Sequence, residues 1–282
     1  MKRHRPIDLR QIPGAAVFYL VLVLFTIVCL LPFFWAIVSS FKPNAELFSY
    51  PPRVIAKDPS LEGWIYVFKN PETLRSLWNS VWMTSVAVFV VIALAAVSGY
   101  GMSRFQFRGK GMLRIAILVT QMLPPIFVLI PYFGLVNFLG LWQTYGALLL
   151  GWCTFPVPFA TLLLWGIFNS IPTELDDAAM IDGCSRLGAL FRVVLRVSLP
   201  GLLGAGAVVF ISIWGDLLLV IIMARDPAMF TVVAFLSSQV SLFTQRWNAL
   251  AVLSLVASVP LVVVWMFSQR YVVRGMTAGF GK

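Results

Sequence analysis

The sequence has little charge. Only 11% of its 282 residues are Asp, Glu, Lys or Arg, against about 25% in a soluble domain. A chain this poor in charge cannot cover itself with a water-compatible surface. Histidine is nearly absent. The single copy, His4, lies in a basic N-terminal tail, so histidine chemistry is excluded from any buried site. Cysteine is scarce as well. Cys29, Cys153 and Cys184 share no metal-like spacing, and neither a disulfide nor a metal site is expected. No nucleotide-binding P-loop occurs. "GKG" at 109–111 has the wrong spacing, and "GAG" at 204–206 has no lysine after it. A nucleotide that drives this protein must therefore be bound by another chain.

What is present is apolar. Hydrophobic residues make up 60% of the chain and the mean hydropathy is +0.91. The expected class is an all-α membrane protein with lipid around it. In a soluble protein the net charge of +10 would suggest nucleic acid. Here it is explained by orientation, because Lys and Arg collect in cytoplasmic loops, and no nucleic-acid partner is expected.

A membrane span needs about 20 apolar residues. Six stretches qualify, roughly 15–38, 80–102, 113–136, 143–167, 200–224 and 250–269. The first follows the basic "MKRHR" but is too long for the apolar part of a signal peptide, so it reads as a retained span. With both termini inside, fourteen basic residues fall in inside segments and seven outside. The short "RFQFRGKGMLR" turn is the cleanest single signal. This bias predicts an N-in, C-in topology. It divides the chain into a cytoplasmic tail (1–14), a membrane domain (15–270) and a second cytoplasmic tail (271–282). Prolines punctuate several spans. "QMLPPIFVLIP" at 121–131 predicts a bent or broken helix within a bundle, where neighbours re-satisfy the freed carbonyls.

One insert breaks the apolar pattern. "SIPTELDDAAMIDGCSRLGALFRVVLRVSLP", from Ser170 to Pro200, holds four of the eleven acids. Thr173 is the expected N-cap of a short helix whose first turn carries Glu174, Asp176 and Asp177, where the helix dipole favours acids. Gly183 permits a bend. A second helix follows with Leu187, Leu190, Phe191 and Val194 as its apolar stripe. Arg186, Arg192 and Arg196 lie off that stripe. The small residues Ala178, Ala179 and Gly183 would let another surface approach closely. Pattern alone leaves two readings open, a docking element and an amphipathic helix lying on the membrane.

The insert resembles the cytoplasmic EAA loop of ATP-binding-cassette (ABC) importer permeases, whose pattern is E-A-A-x-x-x-G-x(9)-I-x-L-P. Asp177, Ala178 and Ala179 fill the first part, Gly183 the glycine, and Val193 and Leu195 the I and L. Asp182 with Gly183 matches the "DG" usual in sugar importers. Asp177 replaces the glutamate, and Arg196 stands where the final proline would be, with Pro200 matching a second proline of the sugar branch. The likeness extends along the chain from about residue 15. "NSVWMTSVAVFVVIALAAVSGYGMSRFQFRGK" looks like the N-S…Y-a-x-a-R-x-x-F-x-G-[RK] segment of these permeases. "QRYVVRGMTAG" matches the C-terminal "QRYxVxGxTAG" of the carbohydrate, maltose-transporter branch.

The resemblance implies a six-span permease subunit of the inner membrane, with no catalytic residues and no cofactor of its own. It implies a heterodimer with a second permease, two ATPase subunits that use ATP and Mg, and an extracytoplasmic solute-binding protein. Asp177, Ala178, Ala179, Asp182, Gly183, Val193 and Leu195 would then form the ATPase-coupling loop, and Thr277 and Gly279 a C-terminal ATPase contact. The solute path is less marked. Asp216 is the one acid inside an expected span, in "SIWGDLLLV", which resembles a W-N-[DE]-F segment of the family. An intramembrane acid is a functional candidate by default, as is its neighbour Trp214, and both a path contact and a structural pairing fit Asp216. Gln121 and Asn137, near the proline-rich span, are weaker candidates. Two rival classes remain. A self-contained secondary transporter or channel would show repeated halves and paired intramembrane charges, and a membrane enzyme would show convergent acids or histidines. This chain has neither pattern.

Overall fold

The computed structural model describes residues 12–240 and 246–278. Among the described residues there are helices and turns and no strands. The chain divides into two compact units, Met1–Lys69 with Leu242–Val256, and Asn70–Ser241 with Ala257–Lys282.

The first unit begins with α1 (Ile12–Ser40), which carries the first expected span and has Pro32 in its interior. From Ala16 onward most of its apolar side chains stay exposed within the chain, as befits a helix that is hydrophobic all round. A polar segment follows. Lys42 is buried in it, with Nζ donating to the Arg53 carbonyl at 2.5 Å and lying 5.1 Å over the Trp35 ring. α2 (Glu62–Lys69) packs on the start of the last helix, α14 (Trp247–Ala278). Gly63 permits this, since a Cβ there would stand 3.0 Å from the backbone of Asn248.

The second unit is built on α3 (Pro71–Arg104). Asn70 caps it, accepting from the Glu72 amide at 2.9 Å, and Pro71 occupies its first turn. Met83, Ala87, Val91 and Ala95 recur at helical spacing and are fully buried. They face α6 (Tyr145–Thr154), α7 (Val157–Asn169) and α11 (Leu199–Trp214). At Gly99 the backbones of α3 and α7 touch. A Cβ there would lie 3.0 Å from the Trp165 amide nitrogen, the close approach small residues allow between membrane helices.

Among the described residues, four helices are long and apolar enough to cross a membrane, and six spans result if each of two bent pairs is one crossing. The first bent pair is α4 (Lys110–Met122) with α5 (Pro125–Phe138), at 98°. Proline lacks the amide donor and pushes the preceding residue out of helical backbone. Leu123 is accordingly extended, and the bend expected from "QMLPPIFVLIP" is found. The fourth expected span is interrupted at Phe155 and Pro156, yet α6 and α7 continue one another over Tyr145–Asn169. The fifth departs more. It was expected over 200–224, but α11 stops at Trp214 and only the short α12 (Leu218–Met223) follows. The second bent pair instead joins Arg186–Val197 to α11 at 82°.

Candidate functional site

The charged insert folds as two short helices around a left-handed turn. α8 (Glu174–Ile181) has Thr173 at its N-cap position, but the Thr173 side chain makes no capping bond. Instead the Thr173 carbonyl accepts from the amides of Asp176 and Asp177. The helix closes at Gly183, whose φ is +84°. The Gly183 amide bonds Met180 O and the Cys184 amide bonds Ala179 O, each at 3.0 Å. This pairing is the Schellman motif, which needs a residue with positive φ at this position, and glycine takes it without strain. The Ser185 hydroxyl then caps α9 (Arg186–Ala189) through the Gly188 amide at 3.1 Å. One π-helical turn (Leu190–Val194) and α10 (Leu195–Val197) complete the insert.

Exposure sorts these residues. Asp177, Ala178, Asp182 and Gly183 lie open, and Ile181 beside them is 86% exposed. A Cβ on Gly183 would meet nothing within 4 Å. Ala179 is different. It was expected at the docking surface, but it is turned inward and only 5% exposed. The apolar stripe is also narrower than its spacing suggested. Leu190 and Val194 are fully buried, whereas Leu187 and Phe191, one step round the helix, are more than half exposed. Phe191 and Leu195 line a 760 Å³ apolar hollow with residues of α3, α11 and α14. Val193 is half-buried, and Arg196 is exposed.

The exposed turn is backed by a buried ion pair. Arg104, the last residue of α3, donates Nε to Asp176 Oδ2 at 2.9 Å, with the two side chains 6% and 8% exposed. The Tyr100 hydroxyl donates to Asp176 Oδ1 at 2.5 Å. Arg104 Nη1 reaches the Phe168 carbonyl at 3.1 Å and Ser103 Oγ at 3.2 Å. The Ser103 hydroxyl in turn donates to Asn169 Oδ1 at 2.9 Å. α3, α7 and α8 are thus tied at one point. The sequence places Asp176 in the dipole-favoured first turn of its helix, and Tyr100 and Arg104 within a motif segment, without pairing them. Their spacing of four places both on one helix face, which was the available signal.

Asp216 occupies the break between α11 and α12. Its Oδ2 accepts from Trp152 Nε1 at 2.8 Å, and its Oδ1 lies 3.4 Å from the Leu219 amide. Trp152 is 2% exposed. The carboxylate therefore bonds within its own chain and braces the interrupted helix against α6.

The model of binding-protein-dependent transport system inner membrane components matches residues 92–278. The chain belongs to this family. The permease is 30% identical over 250 residues to the sulfoquinovosyl glycerol transport system permease protein of Agrobacterium fabrum, covering 89% of this chain and 88% of that protein. It is 29% identical over 261 residues to the trehalose/maltose transport system permease protein of Thermococcus litoralis, covering 91% and 93%. In fold it resembles a chain of a bacterial ABC transporter involved in the import of alginate, with TM-score 0.83, 18% identity and coverage of 95% and 99%. Like its relatives it is a multi-pass transport subunit and not an enzyme. In importers of this kind, partner ATPases hydrolyse the ATP.

The other candidates of the permease are scattered. Trp214 is 2% exposed and donates Nε1 to the Ala257 carbonyl at 3.0 Å, so a solute cannot reach it in this conformation. Gln121 and Asn137 are exposed, near the bend of α4 and at the end of α5. Gly279 lies outside the described residues, as does the side chain of Thr277.

The segment after α12 also gains a partner. Asn79 Nδ2 donates to Ala228 O at 2.9 Å and to Phe230 O at 3.1 Å. The Val232 amide donates to Ser80 Oγ at 2.7 Å. α13 (Val232–Ser238) follows with Val232, Ala234 and Phe235 buried. This segment is packed on α3.

Proposed function

We propose that this permease carries a carbohydrate-type solute as half of a heterodimeric pathway, driven by two ATPases, one of which docks on the turn Asp177–Gly183. The observation that carries the reading is the pairing of an open glycine turn with the buried anchor behind it. An exposed helix end held rigidly to a long span suits a part that receives force from a soluble partner. The carbohydrate class is supported by the names of relatives, which include transporters of sulfoquinovosyl glycerol, trehalose or maltose, and diacetylchitobiose.

On this reading the insert and both termini face the cytoplasm, in keeping with the distribution of Lys and Arg. ATP and Mg are bound by the ATPases. The segment 225–240 faces the opposite side, where a solute-binding protein delivers the sugar. A solved neighbour is a bacterial alginate ABC transporter in complex with an alginate pentasaccharide-bound periplasmic protein, which supports such a partner. ATPase closure then displaces the turn and rocks the spans between inward- and outward-facing arrangements.

The test is Gly183→Trp, with uptake of labelled trehalose, maltose and sulfoquinovosyl glycerol in cells. A Cβ at this open position meets nothing within 4 Å, so insertion should persist while ATPase co-purification and uptake are lost. Normal uptake by well-expressed Gly183→Trp would sink the docking role.

A further inference from the structure

The anchor between α3 and α8 has one donor too many. Arg104 Nη2 is buried and unpartnered. On a guanidinium, Nε and Nη2 share one edge, and the favoured pairing with a carboxylate fills both with parallel bonds. Here Nε holds Asp176 Oδ2, but Oδ1 is taken by the Tyr100 hydroxyl. The donor left empty is a standing penalty in a buried site. It is relieved whenever Oδ1 passes from Tyr100 to Nη2. Tyr100 and Arg104 stand one turn apart on α3, so a small rotation of the Asp176 carboxylate makes the exchange, and Asp176 moves with α8. A contact with two discrete arrangements passes on a small displacement as a step.

We propose that Tyr100, Arg104 and Asp176 form a two-position clamp that transmits movement of the coupling loop to α3. In one position Asp176 is shared with Tyr100. In the other it pairs with Arg104 through both oxygens. All three are positioning residues that touch neither solute nor nucleotide. The inference rests on the docking reading of the turn Asp177–Gly183.

The test uses the complete transporter in vesicles and follows amide hydrogen exchange with and without ATP and Mg. In the wild type, ATP changes protection both in α8 and in the last turns of α3. In Asp176→Asn the α8 response persists, while the α3 response shrinks by roughly 5-fold or more, the lower end of measured couplings between sites. Tyr100→Phe frees Oδ1 for Nη2. It should melt no lower than wild type and yet lose the α3 response. A residue that only fills space would give the reverse, lower heat stability and a normal response. That result in Tyr100→Phe, or an undiminished α3 response in Asp176→Asn, overturns the clamp. If α8 of the wild type does not respond to ATP, the docking reading fails, and the heat stability of Tyr100→Phe still decides the two pairings.

Discussion

Gly183 offers a way to separate backbone conformation from docking. Its φ of +84° lies in the left-handed region, where an L-residue costs about 1–2 kcal/mol and asparagine is the best tolerated substitute. A Cβ at this position meets nothing within 4 Å, so no steric penalty within the chain adds to that figure. The Schellman bonds use backbone atoms only and survive any side chain. Gly183→Ala should therefore destabilise the turn by about 1 kcal/mol, and Gly183→Asn by less, although asparagine is the bulkier. If glycine is needed for its conformational freedom, function ranks Gly, Asn, Ala. If it is needed because a partner approaches closely, function ranks Gly, Ala, Asn. We expect the second order. The assay is uptake and ATPase co-purification for the wild type and the two variants, alongside amide exchange over residues 177–185. Uptake that follows the first order, with ATPases retained equally by all three, would refute the docking argument. A loss of stability in Gly183→Ala well beyond about 2 kcal/mol would refute the open geometry.

Other substitutions test the frame around the turn. Gly99→Ala forces a methyl against the backbone of α7, 3.0 Å from the Trp165 nitrogen, and should cost about 1–3 kcal/mol as overpacking, read as a lower melting temperature in detergent. Asp216→Asn keeps an acceptor for Trp152, so stability should change by less than about 1 kcal/mol and uptake should persist. A fall in uptake at unchanged stability would make Asp216 a solute contact. Trp152→Phe leaves the Asp216 carboxylate without its 2.8 Å donor and should destabilise the permease by about 1–3 kcal/mol, measured by the same melt. Asn79→Ala removes both bonds to Ala228 and Phe230. Amide exchange over 226–232 should then rise, and unchanged protection would show that Tyr145 and Ser80 suffice to hold the segment.

What the sequence determined is what chain-local chemistry dictates. Apolar runs of span length set the membrane class. Two adjacent prolines without amide donors set the bend after Leu123. A glycine after the acidic helix set the turn at Gly183. Each follows from a few neighbouring residues, so each was legible. Partners distant in the chain were not. Asp176 looked like a dipole-stabilised surface acid because its ion-pair partner is 72 residues away. The break at Gly215 and Asp216 was hidden by the apolar runs on either side of it within 200–224, since the indole that holds the carboxylate comes from Trp152, 64 residues earlier. Ala178 and Ala179 are chemically alike, and only the packing of α8 turned one outward and buried the other. Tertiary structure decided these points because burial and pairing depend on which helices meet, and a one-dimensional pattern of spacing does not contain that choice.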